Sequence, residues 1–285
     1  MNQKRINVSD GIYINCVNDF YNILVVEKYV NKENFSILKA TRDYKVKHVV
    51  CDVNVNQSLF ESLIEVESFV FINNNKFEGS FLHIVKNLRG FCCENLPELN
   101  IDWQLLGNLE EVDIPWSQLI SFKHSVNLRH LILRKINHNN LDLILPENLE
   151  YLQLIQGKIN SIEGVSICRS LKAVVLYSLK NIEDFSPINK LISLEFIPLY
   201  NCKVLDFSFL SVLVNLKWVV LENCGDIHSL KPIHKLKGIE GIKLIGKTKI
   251  VDNDLSLVNL KTNFKYRYPY YGLKAEYGQP PSGRY

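Results

Sequence analysis

Histidine and cysteine are the side chains that most readily bind metals or act as nucleophiles, and this chain has seven of each. The histidines (48, 83, 124, 130, 138, 228, 234) are scattered. His228 and His234 could share a metal ion, but no third ligand is phased with them. A Cys–His nucleophile pair would have to join Cys92 to His130. Two repeats separate them, roughly 10 Å at the spacing of neighbouring strands and too far for a hydrogen bond. The cysteines (16, 51, 92, 93, 168, 202, 224) are odd in number and contain no Cys-x-x-Cys pair, which disfavours a disulfide framework and a zinc site and fits free thiols in a reducing cytosol. Glycine-rich phosphate loops, His-Glu-x-x-His and Gly-x-Ser-x-Gly are missing too. The expectation is a protein that is not an enzyme and needs no cofactor or metal, so function has to be sought on a surface.

Which residues form that surface depends on an internal repeat. The motif apolar-x-x-apolar-x-apolar recurs as Val66 to Phe71, Leu88 to Cys93, Leu109 to Ile114, Leu128 to Leu133, Leu149 to Leu154, Leu171 to Leu176, Leu194 to Leu199, Leu216 to Leu221 and Ile239 to Leu244. Successive copies start 19 to 23 residues apart, and Val46 to Cys51 reads as a degenerate earlier copy. Such a period marks a stacked-repeat architecture, because one unit cannot bury its own apolar residues and its neighbours must complete the core.

The period and spacing over roughly residues 46 to 260 resemble the leucine-rich repeat. The later copies, with Ile182-Glu-Asp-Phe-Ser-Pro-Ile-Asn-Lys-Leu191 and Ile227-His-Ser-Leu-Lys-Pro-Ile-His-Lys-Leu236 after the strand motif, look like bacterial internalin-type repeats. The resemblance implies an α/β leucine-rich-repeat solenoid, with a curved parallel β-sheet on the concave face and short 3₁₀ or extended segments on the convex face. The family places Asn or Cys three residues after the last apolar strand position. Cys202 and Cys224 stand there, whereas Leu96, Ser117, Ile136, Gly157, Leu179 and Lys247 do not, so the usual asparagine ladder is mostly missing. Cys51 and Cys93 fall at inward strand positions, and only Cys92 is phased outward.

Length and composition agree with this organisation. The chain has 285 residues, 47% apolar and 22% charged, which excludes a disordered polymer. Its net charge of +3 gives no general reason to expect nucleic acid or an acidic membrane as partner. No apolar run follows Lys4 and Arg5, and Phe209 to Leu221 falls short of the roughly 20 residues that span a bilayer, so a cytoplasmic location is expected. Residues 1–45 read as an N-terminal cap, 46–260 as a solenoid of about ten repeats, and 261–285 as a C-terminal cap or tail. The last segment holds six of the thirteen tyrosines and a charge of +4.

In a strand, alternate side chains face opposite sides, so the third, fifth and seventh residues of each copy project from the concave sheet. In the later copies they present Tyr151, Gln153, Tyr177, Phe196, Tyr200 and Trp218, with Glu222 beside them. Earlier copies contribute Asp52, Glu94, Glu111 and Asp113. Exposed aromatic clusters mark interfaces, and Tyr and Trp are frequent binding anchors. The expected partner-binding residues are therefore Glu111, Asp113, Tyr151, Gln153, Tyr177, Phe196, Tyr200, Trp218 and Glu222, facing a protein partner with a basic surface. The Asn, Ile and Lys bias looks bacterial, and solenoids of this size resemble immunity proteins that neutralise a toxin domain. An effector, a scaffold or regulatory subunit, and a self-associating structural protein are the other readings.

Overall fold

A computed structural model describes residues 4–18, 21–27, 34–52, 57–72, 79–93, 101–116, 121–139, 141 and 145–258. The expected tail, 261–285, lies outside them. The chain divides into two compact units, residues 1–119 and residues 120–268.

The first unit starts with three antiparallel strands, β1 (Lys4–Ser9), β2 (Ile12–Asn18) and β3 (Tyr21–Val26). β3 then pairs in parallel with β4 (His48–Cys51), and the parallel order continues through β5 (Ser68–Phe71), β6 (Gly90–Cys93) and β7 (Glu111–Pro115). Helix α1 (Asn34–Asp43) connects β3 to β4, and α2 (Gln57–Ser62) connects β4 to β5. In α1, Ile37, Ala40 and Thr41 are buried at the i, i+3, i+4 spacing of one helical face. The helix closes where Lys45 turns left-handed (φ 49) and the Val46 amide reaches back to the Thr41 carbonyl at 2.8 Å, a Schellman end. The return segments of this unit thus include α-helix as well as the 3₁₀ turns expected.

The second unit is more regular. Strands β8 (His130–Ile136), β9 (Tyr151–Gly157), β10 (Ala173–Tyr177), β11 (Phe196–Tyr200), β12 (Trp218–Glu222) and β14 (Gly241–Ile245) pair in parallel, in that order. Two-residue strands β13 (Asp226–Ile227) and β15 (Lys249–Ile250) pair beside them. The motif leucines are the core: Leu149, Leu152 and Leu154, and their counterparts down to Leu216, Val219 and Leu221, are fully buried. Each such side chain contributes about 1.5–3 kcal/mol when it leaves water. The 3₁₀ turns Ser186–Lys190, Ser208–Leu210 and Lys231–Ile233 follow Asp184, Asp206 and Ser229, whose side chains accept the Ser186, Ser208 and Lys231 amides at 2.8, 3.1 and 3.1 Å.

The six strands of this parallel series each carry one left-handed residue at or just past their C-terminal end. Lys135, Gln156, Ser178, Asn201 and Asn223 have φ between 52° and 55°, and Gly246 has 63°. The buried residue after this turn bonds the preceding repeat. Cys202 Sγ lies 3.6 Å from the Leu176 carbonyl and Cys224 Sγ 3.2 Å from that of Leu199, each as donor. Thr248, not Lys247, completes the series: its hydroxyl donates to the Leu221 carbonyl (3.3 Å) and accepts the Cys224 amide (3.1 Å). Asparagines also link the repeats, at a different place from the consensus. Asn108, Asn148 and Asn215, each just before a motif, donate to the carbonyls of Lys86, Val126 and Ile192 one repeat back, at 3.0, 3.1 and 2.8 Å.

A further regularity lies at the second motif position. Lys47, Glu67, Arg89, Glu110, Arg129, Glu150, Lys172, Glu195, Lys217 and Glu240 alternate in sign without exception. Within the first unit Lys47 and Arg89 flank Glu67 (3.1 and 3.8 Å), and Arg89 also reaches Glu110 (2.7 Å). Within the second, Arg129 and Lys172 flank Glu150 (3.9 and 2.6 Å), and Lys217 meets Glu195 (2.6 Å). Because strand neighbours are one repeat apart in sequence, opposite charges are brought face to face at each step.

Candidate protein-binding face

The outer face of the second unit's sheet, opposite the leucine core, is organised in three rows by strand register. One row runs Tyr151, Ala173, Phe196, Trp218, Gly241. The centre holds Gln153, Val175, Pro198, Val220 and Lys243, and the third row holds Ile155, Tyr177, Tyr200, Glu222 and Ile245. The residues assigned outward by the motif therefore share this face. Their exposure differs more than alternation alone suggests. Phe196 and Tyr151 are only 3% and 8% exposed, and Val175 and Val220 are each 4% exposed. Tyr177, Tyr200, Trp218, Gln153 and Glu222 are partly exposed. The aliphatic centre forms a floor, and the aromatic residues with polar tips form the accessible rim.

Several contacts hold that rim in place. Tyr151 Oη donates to Gln153 Oε1 at 2.8 Å, and its ring meets His130 edge-on at 6.1 Å. Trp218 Nε1 donates to Glu240 Oε2 at 2.9 Å, which fixes the indole with its apolar body on the sheet. Tyr177 and Tyr200 lie 5.7 Å apart, tilted by 39°. Burial, with the Glu222 charge second, pushes the Tyr200 phenol above its ordinary pKa. Tyr177 and Tyr200 were both assigned outward by phase, whereas Glu240 was not singled out, although its place one repeat from Trp218 was the signal for it.

The outer face of the first unit is built differently. Val50, Val70 and Cys92 stand in register with Val25 of β3 and are 5%, 6%, 1% and 9% exposed. With Ile23 they form a second apolar cluster, against which Tyr13 and Ile72 pack. Cys92 is thus phased outward, but it is buried rather than presented. Its thiol approaches Asp113 Oδ2 at 3.7 Å. Glu111 is partly exposed and Asp113 is 5% exposed, so only the first of these expected contact residues offers an accessible carboxylate. Asp52 is partly exposed, and Glu94 lies outside the described residues.

The chemistry-bearing side chains have structural surroundings. All seven cysteines are free. Burial raises the Cys168 thiol to about 12 and the Cys202 thiol to about 11, far from the thiolate range a nucleophile needs. His48 Nδ1 lies 2.6 Å from Ser68 Oγ, and burial lowers this imidazole to about 4, so it is neutral at physiological pH. Ser68 itself is 3% exposed. His234 Nε2 sits 3.2 Å from Asp254. Among the described residues no group of three His, Cys, Asp or Glu side chains gathers as a metal set, and no helix is long and apolar enough to cross a membrane.

Repeat period, parallel register and the buried-thiol and asparagine links together define a leucine-rich-repeat solenoid. Solved structures share the fold. An internalin from Listeria monocytogenes is similar at 18% identity and TM-score 0.50, over 80% of this chain and 74% of that one. Toll, in the Toll–Spatzle complex of Drosophila, is similar at 14% identity and TM-score 0.59, over 84% of this chain but only 36% of that one. A second structure of that complex gives 11% identity and TM-score 0.53, over 82% and 35%. The likeness is one of fold, and this chain spans little more than a third of the Toll chain. No protein-family model and no curated protein sequence matches the chain.

Proposed function

We propose that the chain is a non-catalytic protein-binding module whose contact surface is the outer sheet face of the second unit. The observation that supports this reading most is the partly exposed rim of Tyr177, Tyr200 and Trp218 around a buried aliphatic floor. A solvated sheet face ordinarily alternates to polar residues, whereas large amphipathic rings around a dry centre are the composition of binding hot spots. The solenoid fold is consistent with this, and one neighbour, Toll, is seen in complex with Spatzle. In this reading residues 1–45 are an N-terminal cap, 46–260 the binding solenoid and 261–285 a basic C-terminal cap or tail. Tyr151, Gln153, Phe196 and Glu222 complete this face, with Phe196 and Tyr151 supporting it from below, while Glu111 and Asp113 on β7 are separate candidate contacts of the first unit. The finer reading is a cytoplasmic bacterial immunity protein that captures a basic toxin domain.

The test compares affinities for the partner isolated from source cells. Trp218→Ala should lower affinity about 30-fold, the equivalent of about 2 kcal/mol, with an unchanged melting curve. Val251→Ala, at an exposed position off this face, should bind like the parent. Equal affinities for all three proteins would remove the face from the account.

A further inference from the structure

A tyrosine ring with a carboxylate beside it is a receptor for a guanidinium, and the first unit contains one that is filled. The Arg5 guanidinium lies 3.3 Å over the centroid of Tyr13, whose hydroxyl donates to Glu27 Oε1 at 2.8 Å. The ring supplies its negative face, and the carboxylate supplies the counter-charge.

The second unit repeats the pairing of ring and carboxylate. Tyr200 on β11 is in direct register with Glu222 on β12, one strand spacing away, about 4.8 Å. Tyr177 lies on the other side of Tyr200 at 5.7 Å, so two tilted rings and Glu222 follow one another on three adjacent strands. Other glutamates of this sheet are already engaged: Glu150 with Lys172, Glu195 with Lys217, and Glu240 with the Trp218 indole. Among the described residues Glu222 carries no ion pair. Its field nevertheless reaches the neighbouring ring, since it is the second cause of the raised Tyr200 phenol. A half-buried negative charge against aromatic surface is better satisfied by a cation than by water alone.

We propose that Tyr177, Tyr200 and Glu222 form a subsite for an arginine side chain of a protein partner, with the guanidinium stacked on Tyr200 and donating its N–H groups to Glu222. Arginine fits better than lysine because its plane can lie on the ring while its fork meets the carboxylate. The subsite rests on the reading of this face as the binding surface, and it names the partner chemistry at one point of that surface.

The experiment titrates labelled tetra-arginine, tetra-lysine and tetra-citrulline peptides against the full chain by fluorescence anisotropy. Tetra-arginine should bind about tenfold tighter than tetra-citrulline, with tetra-lysine between them. Tyr200→Leu and Glu222→Gln should each abolish most of that preference, while Glu163→Gln, which removes the same charge at a distant ion pair, should keep it. Equal binding of arginine and citrulline peptides, or equal losses in Glu163→Gln and Glu222→Gln, would overturn the subsite. So would arginine binding that appears only after Lys261, Lys265, Arg267, Lys274 and Arg284 are changed to glutamine, since the chain's own end would then be the occupant. A partner that is lost with Trp218→Ala yet indifferent to Glu222→Gln would remove the subsite and leave the binding face standing.

Discussion

The two units use one motif for different ends. In the first, β4, β5 and β6 have four residues each, α-helices serve as two of the returns, and the outer face carries small side chains (Val25, Val50, Val70, Cys92) buried against one another. In the second, β10, β11 and β12 have five residues, the returns are 3₁₀ turns, and the outer rows carry Tyr151, Tyr177, Phe196, Tyr200 and Trp218. With Phe69, Phe71 and Phe91 buried on the other side, apolar side chains on both faces make this sheet an inner layer of the unit. Large rings with polar tips leave accessible area at low entropy cost. Regularity and aligned rings go together here, since rings line up across strands where register and strand length repeat.

The comparison can be broken first at the core, where both units should behave alike. Phe69→Ala in β5 should destabilise by about 3–5 kcal/mol and Leu199→Ala in β11 by about 2–5 kcal/mol, measured by denaturant titration. Normal melting of either variant would show the repeat phase to be wrong in that unit. On the outer face the units should part: Trp218→Ala should cost about 2 kcal/mol of partner binding with little change in stability.

The link residues should give smaller effects. Thr248→Val removes the hydroxyl that joins Cys224 N to the Leu221 carbonyl and should cost about 1–3 kcal/mol of stability, confined by hydrogen exchange to the last repeats. Smallest is the charge ladder. Glu150→Lys would set three like charges in a row between Arg129 and Lys172, yet the groups are exposed, so about 1 kcal/mol or less is expected, shrinking as salt is added. Lys172, bonded to it, holds the Glu150 carboxyl below the ordinary carboxylate pKa. A depressed pKa means stability that is present above the unfolded value of about 4.3 and lost as pH falls through the folded one. Glu150→Gln should therefore flatten the acid limb of the stability profile, and an unaltered limb would show the ladder to be energetically idle.

Much of this architecture was legible because the core residues repeat with an unmistakable period. The inward leucines and the outward rows followed from motif phase, and Pro198, which a local rule would bar from a central strand, is overridden by the repeats on either side of it. Phase assigns a side of the sheet and not an exposure, so the burial of Phe196, Tyr151 and Cys92 came only with packing. The missing ladder was a matter of position. An offset of one residue puts Thr248 in the place expected of Lys247, because Gly246 and Lys247 extend the turn, and the asparagines act before the strand instead of after it. The alternation from Lys47 to Glu240 was visible in the letters, but it acquires meaning only when strands one repeat apart are neighbours. Helix α1 carries no repeat signature, since its partner surface is a single position in the stack.

The central claim is that partner contact falls on the outer face of the second unit. Photo-crosslinking residues placed one at a time at 177, 200 and 218, with controls at the exposed positions 212, 251 and 255, test it most directly in the complex with the isolated partner. Crosslinks are expected from 177, 200 and 218 and none from the controls. Crosslinks confined to 212, 251 or 255 would contradict it.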